Sequence, residues 1–229
     1  MLVSYRRSGG PKPRSDELLE VQESGEVSLR RVVSRDRAGW FEGALGGEEL
    51  AALNKAVAGV AGAEVTLDAP GRPPYETEEI VTGAASLRFH PVQKLPRPVA
   101  SLRDRLRELA ERFRERPVAA IELEVEATFT SVRVSAVGTR EVDVNWEGAS
   151  ATYDLFGKDE ALLGSGVVEL VLPNGPQTVA PGWTREEQLA GVEFEAGRTL
   201  QVRLTLSMKY PDGAWREAQV TAVAGKGWS

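Results

Sequence analysis

The feature that most limits the possible folds is the pattern of short apolar segments that fills the chain after Pro117. Gly, Pro, Asp and Asn divide these segments at regular intervals, and in the first of them, residues 121–126, apolar side chains alternate with glutamates. A two-residue period with one wet face is typical of an antiparallel strand. The predicted strands are 121–126, 131–137, 141–146, 152–156, 167–172, 199–208 and 218–223. Strands at this spacing predict an all-β sandwich.

The chain before Pro117 combines strand patterns with two helical patterns. Residues 2–7, 18–23 and 26–33 read as a small antiparallel meander, and 86–92 as a further strand. Apolar side chains recur at three- and four-residue spacing in two places, which predicts two amphipathic helices. They are Leu50, Leu53, Val57 and Val60, and then Leu102, Leu106, Leu109 and Phe113.

These two patterns together predict an α+β fold in two domains. Residues 1–117 form a small antiparallel sheet with two helices, and residues 118–229 form the sandwich domain. The connection lies near Glu115 to Val118, because Pro117 ends the second helix. A chain of 229 residues also fits two small domains better than one large domain.

Charge and targeting signals exclude several classes of partner. The net charge is −6, and a row of arginines along the second predicted helix is interleaved with acids, so it reads as a salt-bridged face. An acidic chain repels polyanions, which argues against nucleic acid. The N-terminus has no apolar signal segment, and no stretch approaches the ~18 apolar residues of a membrane span. With no cysteine, the sequence predicts a cytoplasmic protein without disulfides.

The opening residues carry a resemblance to a known family. Residues 3–10, Val-Ser-Tyr-Arg-Arg-Ser-Gly-Gly, resemble the strand and Arg-Ser/Thr-Gly-Gly turn that open emfourin-like proteins, which are small inhibitors of thermolysin-type metalloproteases. The order of strands and helices that follows is also similar, although Pro11-Lys12-Pro13 replaces the usual Phe-Ala-Gly-like segment. The resemblance implies a protein partner. It places the contact at Arg6, Arg7, Ser8, Gly9 and Gly10, where two glycines also suit an ordinary hairpin or bulge.

A second resemblance lies in the C-terminal half. Residues 135–146 resemble the early strands of a fibronectin type III-like domain, in which a tryptophan of the second strand fills the core. Trp146 has the required alternation. Leu200 stands where that family commonly has tyrosine, so the resemblance implies a fold class and no function.

Candidate catalytic groups are few. His90 is the single histidine, which excludes any two-histidine metal site, and its position at a strand end is typical of a surface or capping residue. Sequences of the P-loop, G-x-S-x-G and G-x-G-x-x-G types do not occur. Carboxylates gather at 76–79 and at 154–160, and paired carboxylates can hydrolyse glycosides or bind calcium. Neither group has EF-hand spacing, so we expect solvated loops, no cofactor and no metal.

The tryptophans leave a second function open. Trp183, Trp215 and Trp228 lie in predicted loops or at strand ends, where an exposed indole ring can stack on a sugar or bind a protein. The sequence therefore predicts a non-catalytic, inhibitor-like protein-binding module. The alternative is a carbohydrate-binding protein or carboxylate-dependent glycosidase. These two hypotheses differ in whether Trp183 and Trp215 share one exposed face near an acid.

Overall fold

The computed structural model describes residues 1–9, 15–67, 76–126, 131–189 and 197–225, which form fourteen strands and two helices. In chain order these elements are β1 (Val3–Gly9), β2 (Ser15–Val21), β3 (Glu26–Arg35), β4 (Arg37–Ala44), α1 (Gly47–Ala58), β5 (Glu76–Thr82), β6 (Ser86–Phe89), α2 (Arg97–Arg114), β7 (Pro117–Glu126), β8 (Ser131–Gly138), β9 (Val142–Phe156), β10 (Leu162–Val168), β11 (Pro176–Val179), β12 (Thr184–Gln188), β13 (Thr199–Lys209) and β14 (Trp215–Gly225). Within these described residues, no helix is long and apolar enough to cross a membrane.

All fourteen strands belong to one hydrogen-bonded sheet. Its main path runs β10-β9-β13-β14-β3-β2-β1-β5-β6. Of the other five strands, β11 pairs with β9, and the remaining four form a branch from β3 in the order β4-β7-β8-β12. The expected α+β fold, a small sheet with two helices followed by a separate all-β sandwich, is therefore wrong. The chain is predominantly β, and its strands form a single network.

The hairpin β3–β4 explains this correction. β3 pairs in parallel with β14 through Val33 to Arg35, and β4 pairs with β7. The sequence reading ended β3 at Val33 and assigned no strand to β4. The turn between them is made by Asp36 at φ +67°, a left-handed conformation that is uncommon without glycine. No Gly-Pro or Asn-Gly signal marks it, so the long hairpin was missed.

The chain divides into two compact units. The first contains residues 1–31 and 40–117, and the second contains residues 32–39 and 118–229. Each unit has its own buried apolar residues. The turn end of the β3–β4 hairpin, residues 32–39, belongs to the second unit.

The core of the first unit lies on one face of its sheet. In the register of β1, Val3 faces Val21 and Thr82, and Tyr5 faces Leu19 and Ile80. The predicted stripe of α2 is confirmed, because Leu102, Leu106, Leu109 and Phe113 are all buried. A Cβ added at Gly43 in β4 would collide with the ring of Phe113, so only glycine allows this close approach. In α1, Leu53 is buried and Leu50 and Val57 are half-buried; Val60, at the end of the predicted stripe, is also buried but lies in the turn after α1.

The second unit is built on the long antiparallel strands β9, β13 and β14. β13 pairs with β14 from Thr199 to Lys209, and the predicted tight hairpin between Lys209 and Trp215 is confirmed. Its turn places Gly213 at φ +78°. The prediction that Trp146 belongs to the core is also confirmed by its burial. The predicted strand at 167–172 instead spans Leu162–Val168.

Candidate functional site

The predicted binding strand β1 is an inner strand. Over Val3 to Gly9 it pairs with β2 on one side and with β5 on the other. Its main-chain groups are therefore used by two neighbouring strands and are not available to pair with a further strand. A partner can reach β1 only through its side chains or through the end of the β1–β2 hairpin.

Side-chain contacts fix that end of the hairpin on β5. Arg7 forms an ion pair with Glu76, and the hydroxyl oxygens of Ser8 and Thr77 are 3.3 Å apart. Ser15 Oγ donates to the carbonyl oxygen of Gly9 at 3.4 Å, and Gly9 has φ +88°. Gly10, the last residue of the predicted contact, and the Pro11-Lys12-Pro13 segment after it lie outside the described residues.

Arg6 projects from the face of β1 that is opposite to Tyr5 and Arg7. Its side chain is half-exposed, and its Nε and Nη2 donate to the carboxylate of Asp16 at 3.3 and 3.2 Å. An exposed ion pair of this kind contributes about 0–1 kcal/mol to stability, so Arg6 can exchange Asp16 for a partner's carboxylate at small cost. Among the described members of the predicted site, Arg6 is the most accessible cation.

A buried ionic cluster, formed by Tyr5, Glu17, Glu78, Arg107 and Arg114, joins α2 to the sheet. Glu78 is fully buried, and Arg107 Nη2 and Nε donate to its Oε1 at 2.6 and 3.0 Å. Glu17, also buried, receives hydrogen bonds from Arg114. The expectation that the glutamates at 76–79 lie in a solvated loop is therefore wrong for Glu78, which sits inside β5. No strand was predicted here; in β5, Glu78 and Ile80 share the buried face.

Four members of the cluster, Tyr5, Glu17, Arg107 and Arg114, line a pocket of about 320 Å³. Burial, with the negative charge of Glu78 beside it, raises the pKa of the Tyr5 phenol, so the hydroxyl stays neutral. The carboxylates of Glu78 and Glu17 raise the pKa of Arg107 and of Arg114 against the opposing effect of burial. Each carboxylate already accepts bonds from a guanidinium. The arrangement therefore anchors α2 and does not offer two unoccupied carboxylates for acid–base chemistry.

The remaining candidate catalytic groups lie in different elements of the fold. The Nδ1 atom of His90, just after β6, lies 2.9 Å from the carbonyl oxygen of Glu76, so this ring contacts the main chain of β5. Asp154 lies in β9 with its Oδ2 3.6 Å from Arg203, while Asp159 and Glu160 lie in the turn after β9. Among the described residues, no group of three or more His, Asp or Glu is arranged to hold a metal ion.

The two tryptophans of the alternative hypothesis do not share a face. Trp183 is half-buried, and its ring centroid lies 5.2 Å from that of buried Trp146. Trp215 is 45% exposed and lies opposite Lys209, whose ammonium is 3.7 Å from Asp143. Side chains alternate along β9, so Trp146 and Asp143 point to opposite faces of the sheet. Trp183 follows Trp146 to the buried face, and Trp228 lies outside the described residues.

A last surface feature was not predicted from the sequence. β10 pairs with β9, and no second strand pairs with it among the residues that the structure describes. It contains no charged residue, and it exposes 57% of Leu162, 53% of Leu163 and 72% of Val167. Long exposed edges usually carry charges that prevent further pairing. Gly164-Ser165-Gly166 at its centre is typical of a turn, so the sequence did not predict a strand at this position.

Comparisons with known proteins give no family. No protein-family profile and no curated protein matches the chain. A putative ApaA protein from Bordetella pertussis matches 48% of this chain and 94% of its own length, with 12% identity and a TM-score of 0.24. Two structures of a β-glucuronidase from Parabacteroides merdae match 47% and 45% of this chain at 17% and 18% identity, with TM-scores of 0.17 and 0.14. The match covers only 12% and 13% of those enzymes. These similarities supply no evidence for or against catalytic activity in this chain.

Proposed function

We propose that this chain is a non-catalytic protein-binding module that inhibits a thermolysin-type metalloprotease, with the end of the β1–β2 hairpin as its contact. The observation that carries the proposal is the fixation of that end. Arg7, Ser8 and Ser15 each bond to a neighbouring strand, so the ends of the connection at residues 10–14 are held in place before any partner arrives. A contact whose flanking residues are already fixed loses less conformational entropy on binding, which is how rigid inhibitors gain affinity.

Charge supports the same contact. Half-exposed Arg6 lies in the strand that precedes the connection, and the sequence of the connection contains Lys12 and Arg14. A basic segment on a chain of net charge −6 favours one orientation toward an acidic cleft. The association should weaken as salt is added, because these charges are exposed. The proposal needs no cofactor, metal, nucleic acid or membrane, and it places the chain in the cytoplasm with its protease.

The test is inhibition of a purified thermolysin-type protease encoded by the same organism. We expect the wild-type chain to inhibit and Gly9→Val to weaken inhibition at least tenfold, because valine at φ +88° strains the end of the hairpin. Gly182→Val is the matched control. Gly182 also has φ +88° and nothing within 4 Å of a Cβ, but it lies in the second unit. This control should inhibit like the wild type.

Two results would change the proposal. If only a Pro11→Ala/Pro13→Ala variant inhibits, the prolines have abolished the contact and the chain keeps the scaffold alone. If folded wild-type, Gly9→Val and double-variant proteins all fail to inhibit, the protease is not the partner. The carbohydrate alternative gains no support from the geometry, because Trp183 and Trp215 lie on opposite faces of the sheet.

A further inference from the structure

The pocket of about 320 Å³ between α2 and β1 is lined only by residues of the first unit. Three guanidinium groups, those of Arg7, Arg107 and Arg114, border it together with the phenol of Tyr5. We propose that this pocket binds the carboxylate group of a small organic monoanion. The proposal goes beyond the protease contact at residues 10–14 and does not rest on it.

The guanidinium groups carry more donors than the protein's own carboxylates use. Arg7 donates to Glu76 through Nε, and Arg107 donates to Glu78 through Nε and Nη2. Among the described residues, neither Nη atom of Arg7 and not the Nη1 atom of Arg107 has a hydrogen-bond partner. Both side chains are about one third exposed. A guanidinium donates hydrogen bonds and accepts none, so a ligand of this pocket must supply acceptors.

The phenol of Tyr5 adds a buried donor to the same pocket. Its side chain is 2% exposed, and its hydroxyl has no hydrogen-bond partner in the part of the chain that the structure describes. Burial raises the pKa of Tyr5, so the hydroxyl keeps the proton that it can donate. Because an unpaired buried hydroxyl is costly, an acceptor bound in the pocket removes that cost.

The charges of the lining favour a single negative charge on the ligand. Glu17 and Glu111 also line the pocket, so three guanidinium groups and two carboxylates give these residues a sum of +1. Arg114 binds both of these carboxylates. The carboxylates that pair with Arg7 and Arg107 are not part of the lining, so they orient the guanidinium groups without closing the pocket. One ligand carboxylate therefore neutralises the lining, whereas a dianion leaves an uncompensated charge in a partly buried site.

Apolar side chains limit the rest of the ligand. Pro91, Val92 and Ala110 complete the lining, and Val92 is 96% exposed. Small-molecule sites combine such apolar walls with a few converging polar groups, and this volume is at the lower end of their range. We therefore expect a ligand in which one carboxylate is joined to a short apolar group.

Isovalerate is a suitable probe, because it joins one carboxylate to a short branched chain, and isovaleramide is its neutral control. In proton–nitrogen correlation spectra of the intact chain, isovalerate should cause saturable shifts of the Nε–H signals of Arg7 and Arg107, with a Kd in the millimolar range. Isovaleramide should cause none. N-acetylleucine separates two sources of the carboxylate: tighter binding than isovalerate indicates the end of a peptide, and weaker binding indicates a free acid.

Variants separate binding from folding. Tyr5→Phe removes only the unpartnered hydroxyl and should weaken isovalerate binding at least about fivefold at neutral pH, because this hydrogen bond is made to a charged group. Val92→Asp should weaken binding and Val92→Lys should strengthen it, and the exposure of Val92 lets the fold accommodate either side chain. Val171→Asp, 72% exposed in the second unit, is the control and should bind like the wild type.

Three results would overturn the proposal. They are the absence of saturable shifts with isovalerate, equal binding of isovaleramide or tighter binding of inorganic phosphate, and a change of affinity in the same direction for Val92→Asp and Val92→Lys. Unaltered affinity in Tyr5→Phe would exclude its hydroxyl from the site and would also count against the proposal. Inhibition of the protease by Val92→Asp should be unchanged, so failure of the carboxylate site and failure of the protease contact are distinguishable.

Discussion

Replacing Arg107 with methionine tests how the buried ionic cluster holds α2 on the sheet. Methionine keeps a long apolar stem and a high helix propensity, so the change removes mainly the guanidinium. Glu78 is fully buried, and Arg107 donates both of the hydrogen bonds that its Oε1 accepts among the described residues. The variant therefore leaves a buried carboxylate without its cation.

The size of the effect follows from the burial of the pair. Removing one partner of a buried pair costs about 3–5 kcal/mol. Arg107 is about one third exposed, so we take the lower end of this range. We expect a loss of about 3 kcal/mol in the free energy of unfolding at pH 7.

Hydrogen exchange in peptides of β1 and β5 measures the free energy of unfolding of the first unit alone. Arg105→Met, at an exposed position of the same helix, is the matched control and should change stability by less than about 0.5 kcal/mol. The double variant Glu78→Gln/Arg107→Met should recover to within about 1 kcal/mol of wild type. A loss below about 1 kcal/mol at pH 7, or a double variant that is no more stable than Arg107→Met alone, would refute the reasoning.

Three further predictions concern single residues. Burial raises the pKa of Tyr5, so its contribution to stability is intact below the ordinary tyrosine pKa of about 10 and is lost as pH rises above it. In Tyr5→Phe, the melting temperature should therefore fall less steeply with pH above about pH 9 than in the wild type. His90→Gln should leave protease inhibition within a few fold, and a ~100-fold loss would assign His90 a direct role. Gly39→Ala should cost at least about 2 kcal/mol in thermal unfolding, because a Cβ there would strike the Ala119 carbonyl, whereas Gly47→Ala should not destabilise.

The parts of the fold that were predicted depend on local chemistry. The stripe from Leu102 to Phe113 has the period of a helix, and Pro117 follows it within one turn. The hairpin between Lys209 and Trp215 has a Pro-Asp-Gly turn between two alternating strands. In both cases the determining residues lie within a few positions of one another, so the sequence pattern is sufficient.

The parts that were missed depend on distant pairing. The parallel pairing of β3 with β14 joins Val33 to Gln219, and nothing in either segment specifies the other. The same limit applies to the candidate site. The sequence predicted a strand that ends at Arg7 and a turn at Ser8 and Gly9. The structure shows that β1 continues to Gly9 and that β2 and β5 pair with both sides of it. Arg107 and Glu78 were interpreted as parts of two solvated segments, because their ion pair spans 29 residues.

Hydrogen exchange of the intact chain, with and without the protease, shows whether the end of the β1–β2 hairpin binds that enzyme. We expect slower exchange in peptides that cover residues 3–21, and unchanged exchange across residues 118–225. Half-exposed Arg6 lies within the first of these segments, so Arg6→Gln should reduce the protection at equal enzyme concentration. Unchanged exchange in residues 3–21 at saturating protease, or protection confined to the second unit, would contradict the account.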